Sequence, residues 1–171
     1  MDYKNVPVKY RPIPLWSWNE RLSADETAEQ VKIMHDAFIG GFFMHARGGL
    51  ETEFMGDEWF ENVDAAVSAA ERLGIRPRAY GENGWPSGFG DGKVNGKGVA
   101  YQQKYLRMEQ HPDHIKNAIC KSGEYYFYYD VNPFYVDTLD RDVIKVFIEE
   151  IYEPYYEKYA NRIEGFFTDE P

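Results

Sequence analysis

The chain has little cysteine and no long apolar run. Cys120 is alone among 171 residues, so the chain can form no internal disulfide, and we expect this side chain to be buried, as free cysteines usually are. No run of about 18 apolar residues occurs, and Met1–Asn5 lack the apolar stretch of a secretory signal. The sequence as written therefore predicts a soluble cytoplasmic protein, or a secreted or periplasmic one if its natural start has been trimmed.

Positive charge is also scarce. Lysine and arginine number 19 against 29 aspartate and glutamate, which gives a net charge of −10. Nucleic acids and anionic membrane surfaces are bound mainly through clustered basic side chains. The charge therefore argues against both as partners.

Aromatic side chains, in contrast, are abundant. Hydrophobic residues make up 43% and charged residues 28%, as in a globular protein, and the length suits one domain. The aromatic fraction of 17% exceeds what a core of this size needs. Because flat rings with a polar edge suit the apolar faces of sugars, this composition favours a carbohydrate ligand.

Short apolar runs alternate with amphipathic stretches, which is typical of a parallel α/β fold. Four strands are predicted, over residues 14–18, 42–45, 76–80 and 163–168. Three helices are predicted between them, over residues 24–38, 57–73 and 141–159. Ser23 and Glu26 form a capping box for the first helix, Gly74 ends the second, and Asp140 caps the third, which Pro154 should kink.

Residues 101–131 interrupt this alternation. We expect a short helix over 101–109 and then a β-hairpin over 117–131, which turns at Lys121–Glu124. Before the hairpin lies the glycine-rich loop, Gly81–Gly98, which we expect to act as a mobile flap.

Four strands in this order match the first part of a barrel. A complete (β/α)₈ TIM barrel has eight strands and about 250 residues. We therefore predict an α/β fold: a partial (β/α)₈ barrel with about the first four strands and a small β-hairpin insertion, residues 1–171 being its N-terminal half in a longer protein. A separate four-stranded flavodoxin-like sheet stays open as an alternative.

Polar side chains follow every predicted strand at its carboxyl end, where barrels carry their functional residues. They are Trp18, Asn19 and Glu20 after the first strand, His45 and Arg47 after the second, Glu82, Asn83 and Trp85 after the third, and Asp169 and Glu170 after the fourth. A single glutamate at a strand end is commonly a solvated loop residue or a helix cap. The convergence of all four groups is thus the stronger indication of a site.

Four motifs stand at these strand ends: Arg11–Asn19, His45–Leu50, Tyr80–Gly88 and Phe166–Pro171. In this order they resemble the catalytic barrel of the α-L-rhamnosidase-like glycoside hydrolases, family 106 and its relatives. Residues 111–132 are unlike that family. The resemblance implies an enzyme that hydrolyses a terminal deoxyhexose, such as α-L-rhamnose, from a polysaccharide or glycan.

The resemblance also implies roles for the residues at the strand ends. Glu170 takes the place of the general acid, kept protonated by its like-charged neighbour Asp169, and the second carboxylate would come from a later strand beyond residue 171. Whether the reaction retains or inverts configuration depends on that second group. The remaining members would bind substrate: Trp18, Asn19, His45, Arg47, Glu82, Trp85 and Asp169.

The metal requirement is left open by the sequence. The resemblance implies that a calcium ion assists, with Glu82 as one candidate ligand, yet no loop has a calcium-ligand spacing and Gly81 stands where the family has an aspartate. His45 and Arg47 are not the His-x-His pair of zinc hydrolases. Two other functions remain as alternatives: a non-catalytic carbohydrate-binding barrel, and a metal-dependent sugar isomerase or lyase with His45, Glu82 and Glu170 as ligands.

Overall fold

Two sheets organise the chain, one parallel and one antiparallel. The computed structural model describes residues 6–84, 86–110 and 118–169. The strands are β1 (Leu15–Trp18), β2 (Gly41–Ala46), β3 (Arg76–Tyr80), β4 (Gln102–Glu109), β5 (Cys120–Ser122), β6 (Tyr125–Val136) and β7 (Phe166–Phe167). The parallel sheet has the order β1-β2-β3-β7, in which strands follow one another as they do along the chain. A flavodoxin-like sheet would place its first strand between the second and third.

The helices lie where periodicity predicts them, but the predicted capping box of the first helix does not form, because the Ser23 side chain makes no capping hydrogen bond. They are α1 (Ala24–Asp36), α2 (Asp57–Leu73), α3 (Arg141–Phe147) and α4 (Glu153–Tyr159). Gly74 ends α2 in the left-handed conformation at φ 69°, and the Asp140 carboxylate accepts hydrogen bonds from the first turn of α3. A π-helical turn, Ile148–Tyr152, separates α3 from α4. We attribute this break to Pro154, which has no N–H for a regular helical bond.

The helices cover one face of the parallel sheet. Trp18 of β1 packs edge to face on Trp59 of α2, with 4.9 Å between ring centroids, and the Trp59 Nε1–H donates to Tyr155 Oη of α4 at 2.7 Å. Side chains alternate along a strand, so Phe43, His45, Arg78 and Tyr80 point to the opposite face. Among the described residues, no helix is long and apolar enough to cross a membrane.

The antiparallel sheet replaces the expected short helix over 101–109. This prediction was wrong, because β4 pairs with β6 in register from Gln103–Asn132 to Glu109–Tyr126, giving the order β4-β6-β5. The partner strand β6 lies more than 15 residues further along the chain than β4. Packing between the two strands outweighs a weak local preference for helix. The predicted hairpin forms β5 and β6, but Cys120 in β5 is exposed rather than buried.

Candidate functional site

The carboxyl ends of β2, β3 and β7 bring several polar side chains together. The His45 and Tyr80 rings lie 4.1 Å apart, measured between centroids. The charges of Arg47 and Asp169 both act on His45 and on Tyr80. Parallel pairing of Tyr80 with Phe167 is what carries Asp169, two residues on, to this edge. Of the residues predicted for a site, the structure thus places His45, Arg47 and Asp169 in one cluster.

His45 is held as a neutral imidazole. Its side chain is 4% exposed, and its Nδ1 has no hydrogen-bond partner among the described residues. Burial lowers the pKa of His45 below 6.5, Arg47 acts in the same direction, and Asp169 opposes them. A neutral imidazole has one ring nitrogen that donates and one that accepts, which suits contact with a hydroxyl group.

The backbone of Asp169 is held in place by a hydrogen bond to the Ser87 side chain. The Asp169 N–H donates to Ser87 Oγ at 2.6 Å, and Asp169 Oδ2 is buried without a hydrogen-bond partner in the described part of the chain. Ser87 is 2% exposed, and the nearby Tyr80 Oη is buried without a hydrogen-bond partner among the described residues. Burial raises the pKa of Tyr80, so its hydroxyl stays protonated. Neither Ser87 nor Tyr80 is among the site residues predicted from the sequence. Their place in the Tyr80–Gly88 motif is the one sequence signal that links them with a site.

Glu82 faces its own loop. It is 0% exposed, and its two carboxylate oxygens accept hydrogen bonds from the N–H groups of Gly88 at 3.0 Å and Gly90 at 2.6 Å. Burial raises the pKa of Glu82 to about 7, against the effect of the two amide bonds. Both oxygens are therefore engaged by backbone groups, whereas the sequence suggested that they contact a sugar or a metal.

Gly81 has no room for the aspartate that the resemblance leads one to expect. A Cβ atom at residue 81 would lie 2.7 Å from the ring of Tyr152. Tyr152 belongs to the π-helical turn and interacts through its hydroxyl with Thr168. The absence of an acidic side chain before Glu82 thus follows from close packing against Tyr152.

The glycine-rich loop is closed by internal hydrogen bonds. The Asp91 N–H donates to the Asn83 carbonyl at 2.9 Å, and Asn83 Nδ2 donates to Asp91 Oδ1 at 3.1 Å. The Gly88 carbonyl accepts from the Val136 N–H at the end of β6, at 3.1 Å. These bonds connect parts of the loop with one another and with the antiparallel sheet. Movement of the loop as a flap stays a prediction.

The other predicted site residues lie apart from this cluster or outside the description. Trp18 is 2% exposed and packs between Trp16 and Trp59, which is the position of a core residue. Asn19 is exposed, and its carbonyl lies against Gly49 of the loop after β2. Trp85 and Glu170 lie outside the described residues.

A calcium site is not shown by the donors of the described residues, and a calcium requirement stays a prediction. Within residues 6–84, 86–110 and 118–169, no three histidine, cysteine, aspartate or glutamate side chains gather where they could hold a metal ion. Glu82, the carboxylate suggested for that role, uses both oxygens for loop amides.

Among known proteins, a distant likeness is found in solved structures. No family model and no curated protein matches the chain. Among solved structures, the chain is similar to a rhamnosidase from Novosphingobium sp. PP1Y, with 19% identity and a TM-score of 0.43 over 68% of this chain. The match spans 12% of the rhamnosidase. A likeness of this degree assigns neither a family nor a function to the chain.

Proposed function

We propose that the chain is the N-terminal half of the (β/α)₈ barrel of a glycoside hydrolase that acts on a terminal deoxyhexose, such as α-L-rhamnose. The observation that carries the proposal is the cluster of His45, Arg47 and Asp169 at the carboxyl edge of a parallel sheet. Strands in chain order, with helices on one face, are the arrangement of consecutive units of such a barrel. The four motifs at the strand ends support the same interpretation.

The cluster offers suitable groups for a neutral sugar. Neutral His45 donates and accepts, Arg47 donates, and Asp169 accepts, so together they complement the hydroxyls of a sugar ring. Hydrolysis needs a carboxylic acid that protonates the leaving oxygen and a carboxylate that activates water or attacks the anomeric carbon. In this proposal Glu170, which follows Asp169, is the acid, and the second carboxylate belongs to a later strand.

The test is a hydrolysis assay of the protein expressed from its complete reading frame. The substrates are a panel of aryl α-L-rhamnosides and other aryl glycosides, and the variants are Glu170→Gln and, as a control with the same charge change on the exposed surface of α4, Glu157→Gln. We expect Glu170→Gln to lower kcat by about 10²–10⁴-fold, which is what a general acid contributes, and Glu157→Gln to leave it unchanged.

Three results would contradict the proposal. Equal activity of Glu170→Gln and the parent would show that Glu170 is not the general acid. A reading frame that stops at Pro171 would show that the chain is not half of a barrel. Binding of sugars without hydrolysis by the complete protein would support the non-catalytic carbohydrate-binding alternative.

A further inference from the structure

We propose that Glu82 is a positioning residue: through the backbone of the glycine-rich loop it fixes Ser87, and through Ser87 it fixes the backbone at Asp169. The effect on catalysis rests on the proposed function, whereas the positioning itself is a property of the fold. Glu82, which the sequence suggested as a sugar or metal ligand, thus acts on the site through the loop and not through direct contact with a ligand.

The first link joins Glu82 to the loop. Its fully buried carboxylate accepts from the N–H groups of Gly88 at 3.0 Å and Gly90 at 2.6 Å. Hydrogen bonds to an ionised acceptor are stronger than neutral ones, and they strengthen further away from water. One side chain at the start of the loop therefore determines where the chain lies six and eight residues later.

Glycine is required at both contact points. Gly88 has φ 102° and Gly90 has φ 52°, and a Cβ would lie 2.7 Å from the Tyr135 ring at the first position and 3.0 Å from the Phe147 ring at the second. Only residues without a side chain can turn these two N–H groups inward against the surrounding rings. The glycines of the motif thus serve the contact with Glu82.

The second link joins the loop to the end of β7. Ser87 precedes Gly88, so its backbone position follows from the Glu82 bonds. Its Oγ accepts from the Asp169 N–H at 2.6 Å, across 82 residues of sequence, and the side chain is 2% exposed. The end of β7, where the acidic residues of the site begin, is thereby tied to the end of β3.

The surroundings of Glu82 contain no charged hydrogen-bond partner among the described residues. The titratable groups that feel its charge are Tyr80 of β3 and Tyr152 of the π-helical turn. Both tyrosines have a raised pKa and stay neutral near pH 7. Protonation of Glu82 would turn one of its two acceptor oxygens into a donor that faces an amide donor.

The experiment is a pH titration by NMR of the protein expressed from its complete reading frame, labelled with ¹⁵N in its glycine and aspartate residues. We expect the amides of Gly88, Gly90 and Asp169 to shift together with one midpoint near the pKa of Glu82, about 7. His45 also titrates, with a lowered pKa, and its transition is told apart from that of Glu82 because it should persist when Glu82 is replaced. The common transition should vanish in Glu82→Gln and persist in Glu51→Gln, which removes a charge from an exposed loop residue.

Ser87→Ala separates the two links. It leaves the Glu82 bonds intact, so Gly88 and Gly90 should still titrate, while the shift of the Asp169 amide with that midpoint should disappear. If Glu82→Gln does not fold, the parent and Ser87→Ala decide the matter. The proposal is overturned if Asp169 does not follow Gly88 and Gly90 in the parent, or if the transition survives in a folded Glu82→Gln.

A kinetic measurement connects the positioning to the proposed reaction. In the complete protein, Glu82→Gln should lower kcat by about 10²-fold with little change in KM, because a displaced reacting group is costly while substrate contacts remain. A complete parent protein that hydrolyses no glycoside would contradict the proposed function alone, since the NMR titration does not depend on activity.

Discussion

At the scale of single residues, two buried groups respond to pH in opposite directions. His45 has a lowered pKa because burial disfavours its cation, so the folded protein binds a proton less readily than the unfolded chain, and stability falls as pH drops below 6.5. Glu82 has a raised pKa because burial disfavours its anion, so the folded protein holds a proton to higher pH. The pH dependence of the whole protein combines both, and only variants separate them.

Replacing Glu82 by glutamine should remove one of these dependences. A glutamate in the unfolded chain has its ordinary pKa of 4.5, and in the folded protein the pKa of Glu82 is about 7, so between these values the parent loses stability as pH rises. A shift of this size corresponds to a loss on the order of 3 kcal/mol. We compare the free energy of unfolding of Glu82→Gln with that of the parent, measured with urea at several pH values. The advantage of the variant over the parent should grow by this amount as the pH rises from about 4.5 to about 8. A difference that does not vary with pH would contradict the burial of an ionisable Glu82.

Gly88 should not tolerate even a methyl group. Its φ of 102° strains any other residue, and a Cβ would meet the Tyr135 ring at 2.7 Å. We expect Gly88→Ala to lower the free energy of unfolding by more than about 1–2 kcal/mol, measured by chemical denaturation. Gly96→Ala is the matched control, because a Cβ there meets nothing within 4 Å, and it should change stability by less than about 0.5 kcal/mol.

At the scale of elements, local signals predicted β1 to β3, α1 and α2, and failed where distant pairing decides. Hydrophobic periodicity and the Gly74 cap lie within each element, whereas β4 is a strand only because β6 pairs with it. The site shows the same division. Strand ends predicted that His45, Arg47 and Asp169 lie close together, but the inward direction of Glu82 and the part played by Ser87 depend on contacts across the fold.

A buried hydrogen bond from Trp59 of α2 to Tyr155 of α4 helps to hold the helical layer together. Tyr155→Phe would leave the Trp59 N–H without its acceptor in the core, away from solvent. We expect a loss of about 1–3 kcal/mol in unfolding free energy by urea denaturation. Tyr156→Phe, at a neighbouring position that is 69% exposed, should have almost no effect. Equal effects of the two substitutions would show that this bond adds no stability.

At the scale of the whole molecule, the parallel sheet has one face covered by helices and another that carries the candidate site. Parallel sheets are generally covered on both faces, and in a barrel the second face becomes the packed interior. Leu15 on that face is 48% exposed, and Phe43 and Phe167, which contact each other, are half-buried. An incompletely covered apolar surface of this kind is a site of association.

The half-barrel proposal therefore makes a prediction about this surface. The 171-residue chain alone should bind the dye 1-anilinonaphthalene-8-sulfonate and self-associate in sedimentation, because Leu15, Phe43 and Phe167 lack a second layer. The protein from the complete reading frame should bind less dye per molecule, since later strands would bury the same side chains. Phe43→Ser serves as the control: it should reduce dye binding by the isolated chain, where the face is open. If the isolated chain is monomeric and binds no dye, then this face is covered in some other way and the barrel interpretation of the sheet is wrong.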